Sequence, residues 1–284
     1  MFKVLPIKQV FRSFKKRDYV FDIFLTKRCN LNCKNCSRFA GFYDKTSDIT
    51  FEEFKRDFDH ILKFSDFENI MRINLTGGEP TIVKDFLKII EYIRSKFKRE
   101  ITVCSNGAKI QTFSESELER LKKCEVQFLL TKYPCSNINY EKVFQILDSH
   151  KITYERFKDF GEFVNDRYIF GNQYFVSKKI KPIFRHTGTC CSHFPMFYKG
   201  KLYTCDKIPV KIDHFESTLG DSGVPLKTFK SFKEIIHYLL NDRSKDYFCE
   251  RCLKEFRVSP WEVEKNKNID FYFLSKKEEE YYCE

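Results

Sequence analysis

The sequence predicts an α/β fold built on a parallel sheet, and three observations predict it. Short apolar, β-rich runs alternate with segments of helical apolar periodicity from Val20 to Phe157. Two of the helical segments open on capping pairs, Thr50 with Glu53 and Ser114 with Glu117. Two loops of special composition, CNLNCKNC (Cys29 to Cys36) and GGEP (Gly77 to Pro80), directly follow strands. Loops in that position gather at the carboxyl edge of a parallel sheet, where such folds keep their active sites. The regular alternation suits a full or partial barrel with right-handed crossovers.

Residues 1–19 are a basic lead-in with no assigned role. Val20 to Thr26 (VFDIFLT) is mostly apolar, as a buried strand should be. The cysteine loop runs from about Cys29 to Asp48. The helix opening at Thr50 sets Phe51, Phe54, Phe58, Ile61 and Leu62 on one face. Met71 to Gly78 is the second strand, and the next helix carries Phe86, Ile89, Ile90, Ile93 and Phe97 at core spacing. Ile101 to Gly107 is the third strand, followed by a helix from Ser114 with Leu118 and Leu121. Glu125 to Tyr133 is the fourth, followed by a helix from Tyr140 to Ser149 with Val143, Phe144 and Leu147, and Ile152 to Phe157 is the fifth. Periodicity fades from Phe160 to Lys181, where a domain junction is expected. Beyond it lie five cysteines between His186 and Phe256 and a short helix, Ser231 to Asn241, opened by Ser231 and Glu234. The charged tail from Glu262 reads as peripheral.

The totals bound the function. With 284 residues and 42% hydrophobic content the chain can bury a real core, which excludes disorder throughout. The 32 phenylalanines read as core filling. The net charge of +11 is scattered, so it reads as a solvated surface and not as a nucleic-acid footprint. No stretch approaches the length of a membrane span. The first twenty residues lack the sustained apolar run of a signal peptide, so a cytoplasmic protein is expected. In that compartment 12 cysteines, several of them clustered, point to metal or redox chemistry and not to a disulfide frame.

Cys29, Cys33 and Cys36 can hold three corners of a cubic iron–sulfur cluster and leave one iron open, as catalytic metal sites leave a coordination position open. Read alone, the triplet also fits part of a zinc site. The glycine pair Gly77-Gly78 lets backbone approach a ligand closely, with an acidic side chain beside it, though most Gly-Gly turns are structural. Ser105-Asn106-Gly107 can be an ordinary Asn-Gly turn.

The CxxxCxxC spacing resembles the radical S-adenosylmethionine (SAM) superfamily, in which Asn35 would occupy a position that is often aromatic or bulky. The resemblance implies a [4Fe–4S] cluster on Cys29, Cys33 and Cys36 whose open iron SAM chelates. It implies SAM contacts from Gly77, Gly78, Glu79 and Pro80 to the amino group, and from Ser105 and Asn106 to the ribose or carboxylate. Thr131 and Lys132 would face cofactor or substrate. One electron from the cluster, supplied by an external reductant such as flavodoxin or ferredoxin, cleaves SAM, and the resulting 5′-deoxyadenosyl radical removes a hydrogen atom from a substrate. The implied core is a partial (β/α)6 barrel over residues 20–175.

Farther on, Cys190 and Cys191 are adjacent, Cys205 follows a hairpin turn at Lys199-Gly200, and Cys249 and Cys252 form a CxxC. Such a set can close a tetrahedral sulfur site for zinc or iron–sulfur. The pattern resembles the twitch domain, the shortened form of the SPASM extension. It implies a small α+β domain over residues 180–260, holding an auxiliary [4Fe–4S] cluster on Cys190, Cys205, Cys249 and Cys252, with Cys191 as the substitute for Cys190. Residues 261–284 form the charged tail. Cys104, Cys124 and Cys135 read as small core residues. Cys135 is also a candidate hydrogen-atom donor and Asp206 a candidate base; no catalytic side chain is otherwise assigned. The expected function is radical modification, favouring oxidation, of a peptide, sugar or other small metabolite. The alternative is a zinc- or cluster-bearing protein that binds or modifies nucleic acid.

Overall fold

The structure, a computed structural model, describes residues 19–33, 36, 38, 40–133, 137–157, 167–171, 196–204, 221–241 and 256–260. Five parallel strands lie in chain order: β1 (Tyr19–Thr26), β2 (Ile70–Gly77), β3 (Glu100–Ser105), β4 (Val126–Thr131) and β5 (Tyr154–Phe157). The helices between them are α1 (Phe51–Ile61), α2 (Phe86–Lys96), α3 (Glu115–Lys123) and α4 (Tyr140–Ser149). When consecutive parallel strands are neighbours and every crossover has the same hand, all helices fall on one face of the sheet. That is observed: Phe54 and Phe58 of α1, Ile89 and Ile93 of α2, Leu121 of α3 and Leu147 of α4 share one core with Ile23, Leu75, Val103 and Phe128 of the sheet.

Both expected capping boxes are present. Thr50 Oγ1 accepts from Glu53 N while the Glu53 carboxylate accepts from Thr50 N at 2.8 Å, and Ser114 with Glu117 repeats the arrangement. Each satisfies two amide groups that a helix start leaves open.

The sixth strand of the expected barrel does not extend this run among the described residues. β6 (Arg167–Gly171) pairs antiparallel with the late strand Phe256–Pro260 in a sheet of its own. The main sheet grows instead at its other edge. β7 (Met196–Tyr198) lies parallel to β1, and β8 (Lys201–Tyr203) and β9 (Val224–Pro225) follow antiparallel. So these described strands from the expected carboxyl-terminal domain continue the sheet of the core. The expected hairpin turn is there, with Lys199 and Gly200 both at positive φ. α5 (Phe232–Asn241) anchors on the core through Phe232, which packs on Phe21 and Phe64 with ring centroids 5.0 and 5.2 Å apart. Asp66 caps α5, accepting from Phe232 N and Lys233 N at 2.8 and 3.0 Å. Among the described residues no helix is long and apolar enough to cross a membrane. β10 is the strand Phe256–Pro260.

Candidate active site

Strand alternation puts two different sets of side chains on the two faces of the sheet. Away from the helices, Asp22, Asn74, Thr102 and Gln127 stand side by side on β1 to β4. Asn74 Nδ2 donates to Asp22 Oδ1 at 2.7 Å, and Thr102 Oγ1 donates to Asn74 Oδ1. One step toward the carboxyl ends come Phe24, Thr76 and Cys104. Cys104 was expected as a core residue but lies on this inner face, where desolvation and the nearby Asp22 push its thiol up to about 11, against the opposing effect of Arg38. Cys124, at the end of α3, is buried as expected.

At the carboxyl edge the two motifs meet. Gly78 N donates to Thr26 O and Glu79 N to Arg28 O, each at 2.9 Å, so the GGEP segment runs against the residues that lead into the cysteine loop. Only glycine permits this. Gly77 has φ +145°, and a Cβ there would sit 2.3 Å from Thr26 O; one on Gly78 would sit 2.1 Å from Arg28 O. Arg28 holds the start of the loop by two bonds to Asp48, 2.8 and 2.7 Å, and a third to Ile82 O at 2.8 Å. Arg38 folds the far part back, donating to Thr76 Oγ1 at 2.9 Å and Gly77 O at 2.7 Å, with its guanidinium over Phe24. Cys29 N closes the loop on Ala40 O at 3.1 Å. Sequence reading missed Arg28 and Arg38. An arginine in a polar loop carries no local signal of where its guanidinium lands.

Glu79 is 1% exposed. Its carboxylate accepts from Thr81 N and Oγ1 (3.2 and 2.6 Å), Ser105 Oγ (2.8 Å) and Asn106 N (2.8 Å). Burial pushes its pKa up, and these neutral donors offset the push in part. Ser105 is thus engaged with Glu79. Asn106 reaches the other way, donating from Nδ2 to Cys29 Sγ at 3.6 Å and Asn30 Oδ1 at 2.8 Å. Cys29 is pushed up, first by burial and then by Glu79. Cys29, Cys33 and Cys36 are all half-buried. Among the described residues no three His, Cys, Asp or Glu side chains form a cage for a single metal ion. A cubane takes each thiolate on a different iron and does not require one. The donor set therefore suits the cluster. A buried carboxylate whose hydrogen-bond donors are all neutral, beside backbone that glycine keeps bare, suits a cationic ligand group.

The sequence of residues 23–168, half of the chain, matches the family model of the Radical SAM superfamily. The chain belongs to that superfamily. Membership makes it an enzyme and implies a [4Fe–4S] cluster and SAM, and it does not favour a nucleic-acid-binding module. The chain is 39% identical over 93 residues to a probable GTP 3′,8-cyclase of Pyrococcus abyssi, covering 33% of this chain and 28% of that one. It is 30% identical over 130 residues to the GTP 3′,8-cyclase of Mannheimia succiniciproducens, covering 43% and 36%. It is 27% identical over 121 residues to a 7,8-dihydro-6-hydroxymethylpterin dimethyltransferase of Methanocaldococcus jannaschii, covering 43% and 23%. The chain thus spans about a quarter to a third of the length of these relatives. In fold it resembles BtrN, solved in complex with AdoMet and 2-DOIA, with TM-score 0.53 and 14% identity over 88% of this chain and 97% of that one.

Of the radical SAM residues expected from sequence, Cys29, Gly77, Gly78, Glu79, Ser105 and Asn106 are joined by the contacts above, and Pro80 continues the same turn. Thr131 ends β4 with Lys132 just beyond it, the ammonium over the Tyr140 ring. Cys190, Cys191, Cys205, Cys249, Cys252, Cys135 and Asp206 lie outside the described residues.

Proposed function

We propose that this chain cleaves SAM reductively at a [4Fe–4S] cluster on Cys29, Cys33 and Cys36 and uses the radical to modify a small polar molecule or peptide. The carrying observation is the pair of backbone bonds that ties Gly78 and Glu79 to Thr26 and Arg28, so that glycine backbone and buried carboxylate abut the thiol loop. In this reading Gly77 to Pro80 receive the SAM amino group, with Glu79 as its counter-charge, and Ser105 and Asn106 complete the cofactor side of the site. When bound, the cluster and SAM supply a 5′-deoxyadenosyl radical that removes a hydrogen atom from substrate. The protein's part is to hold these groups, exclude water and present the substrate. Arg28 and Arg38 fix the loop.

The hydrogen-bonded polar row on the inner face supports a substrate rich in hydroxyl, amino or amide groups over an apolar one. Nucleotides and aminated sugars are therefore the first classes to try. GTP is one candidate, because the relatives above include GTP 3′,8-cyclases. An auxiliary [4Fe–4S] cluster on Cys190 (or Cys191), Cys205, Cys249 and Cys252 belongs to the same proposal, as does a flavodoxin- or ferredoxin-type reductant, and with them an oxidative outcome. The test is anaerobic reconstitution followed by assay of 5′-deoxyadenosine under strong reductant. Wild type should bind iron and sulfide and form 5′-deoxyadenosine, and Cys33→Ala should form none. Undiminished product from that variant overturns the proposal. The Cys249→Ala/Cys252→Ala double variant should lose about half of the bound iron, as removal of one of two four-iron clusters requires.

A further inference from the structure

We propose that Asn106 is a positioning residue that holds Cys29 through an N–H···S hydrogen bond and so raises the reduction potential of the cluster that loop would carry. The inference rests on the functional reading above.

Asn106 is 4% exposed, and all its side-chain polar atoms are committed within the protein. Ala108 N donates to its Oδ1 at 2.9 Å, an Asx turn that opens the segment after β3. That bond fixes the orientation of the amide: with the oxygen turned to Ala108, the NH2 group must face the cysteine loop. One N–H meets Asn30 Oδ1 at 2.8 Å and the other Cys29 Sγ at 3.6 Å, a length that a large sulfur acceptor allows. The main chain is held as well, since Asn106 N donates to the buried Glu79 carboxylate at 2.8 Å and Gly107 N donates to Ser105 Oγ at 2.9 Å. The donor is thus presented by a rigid strand end, 77 positions along the chain from the thiol it meets. The backbone N–H of Leu31 also reaches Cys29 Sγ, at 3.3 Å, but it rides on the same loop and cannot fix that loop against the sheet.

Hydrogen bonds to ligand sulfur are among the levers that set cluster potentials. A donor N–H stabilises the reduced cluster, with its extra negative charge, more than the oxidised one. Its loss should therefore lower the potential and make the first electron harder to deliver.

The test is a redox titration of the reconstituted full chain without SAM, read by absorbance and electron paramagnetic resonance. Asn106→Leu keeps the branched shape without a donor. Asn106→Ser keeps a short group able to receive the Ala108 amide but not to reach Cys29, so it decides the matter if the leucine variant does not fold. Both should load a cluster at a potential shifted below that of wild type. Asn30→Ala, which removes the acceptor of the other N–H and leaves the N–H···S bond, should not shift it down. An unshifted potential in a cluster-loaded Asn106 variant overturns this inference alone, above all if SAM affinity falls instead, since that would make the side chain a SAM contact. Failure of the wild type to hold any cluster overturns the functional reading and this inference with it.

Discussion

Two rows of side chains cross the same strands one residue apart, and they differ in almost every physical respect. The row Ile23, Leu75, Val103, Phe128 runs under the helices. The row Asp22, Asn74, Thr102, Gln127 faces away from them and is hydrogen-bonded along much of its length. The first stabilises by removing apolar area from water, about 1.5–3 kcal/mol for each large side chain. The second gains little net stability, because each of its bonds replaces one to water. A sheet does not need such a row to fold. Its presence on the same face as Phe24, Thr76 and Cys104 is what the proposed function uses as the side toward the substrate.

Substitutions can break that contrast. Phe128→Ala empties the apolar row and should cost about 3–5 kcal/mol in chemical denaturation. Asn74→Ala removes the donor to Asp22 and the acceptor for Thr102 together. It should cost about 1–3 kcal/mol, and substrate turnover should suffer more than SAM cleavage without substrate. Equal losses of stability in the two variants would erase the distinction between the faces.

Glu79 sharpens it through pH. Its folded-state pKa is raised, so the folded protein holds that proton more tightly than the unfolded chain. Its contribution is therefore greatest below the ordinary carboxylate range. That contribution is lost as pH rises through the raised folded value, and is flat above it. Glu79→Gln should flatten this fall in unfolding free energy, and an unchanged slope would reassign it to another group. The smallest effect belongs to the margin of the polar row. Gln127 donates from Nε2 to the exposed Glu155 carboxylate at 3.0 Å, so Gln127→Ala should stay within about 0.5 kcal/mol of wild type.

What was legible in the sequence was local. The capping boxes, each strand or helix of the alternation and the two motifs that follow strands are short local patterns, and the capping boxes, the five strands and the four helices between them are present as read. VFDIFLT reads as a mostly apolar buried strand, and Ile23 to Thr26 are buried, but Asp22 within it is only half-buried and pairs with the polar Asn74. Cys104 was read as core for want of a register; only pairing with the neighbouring strands shows which way it points. The Asn106 amide and the two arginines act across 20 to 77 positions, and no spacing rule covers such reach. β7 is three residues long, too short to show periodicity, and its partner lies about 170 positions earlier.

That last pairing has a consequence for biosynthesis. When the ribosome has delivered the five parallel strands and four helices, β1, the strand that leads to the thiols, still lacks, on one flank, one of its two neighbours among the described strands. The flank closes only when Met196 to Tyr198 emerge. Until then that flank awaits its partner among the described strands, and a largely apolar strand margin of this kind can join another copy. The polypeptide thus depends on its later third to shield its earliest strand, and an arrest of translation between the two leaves a sticky intermediate.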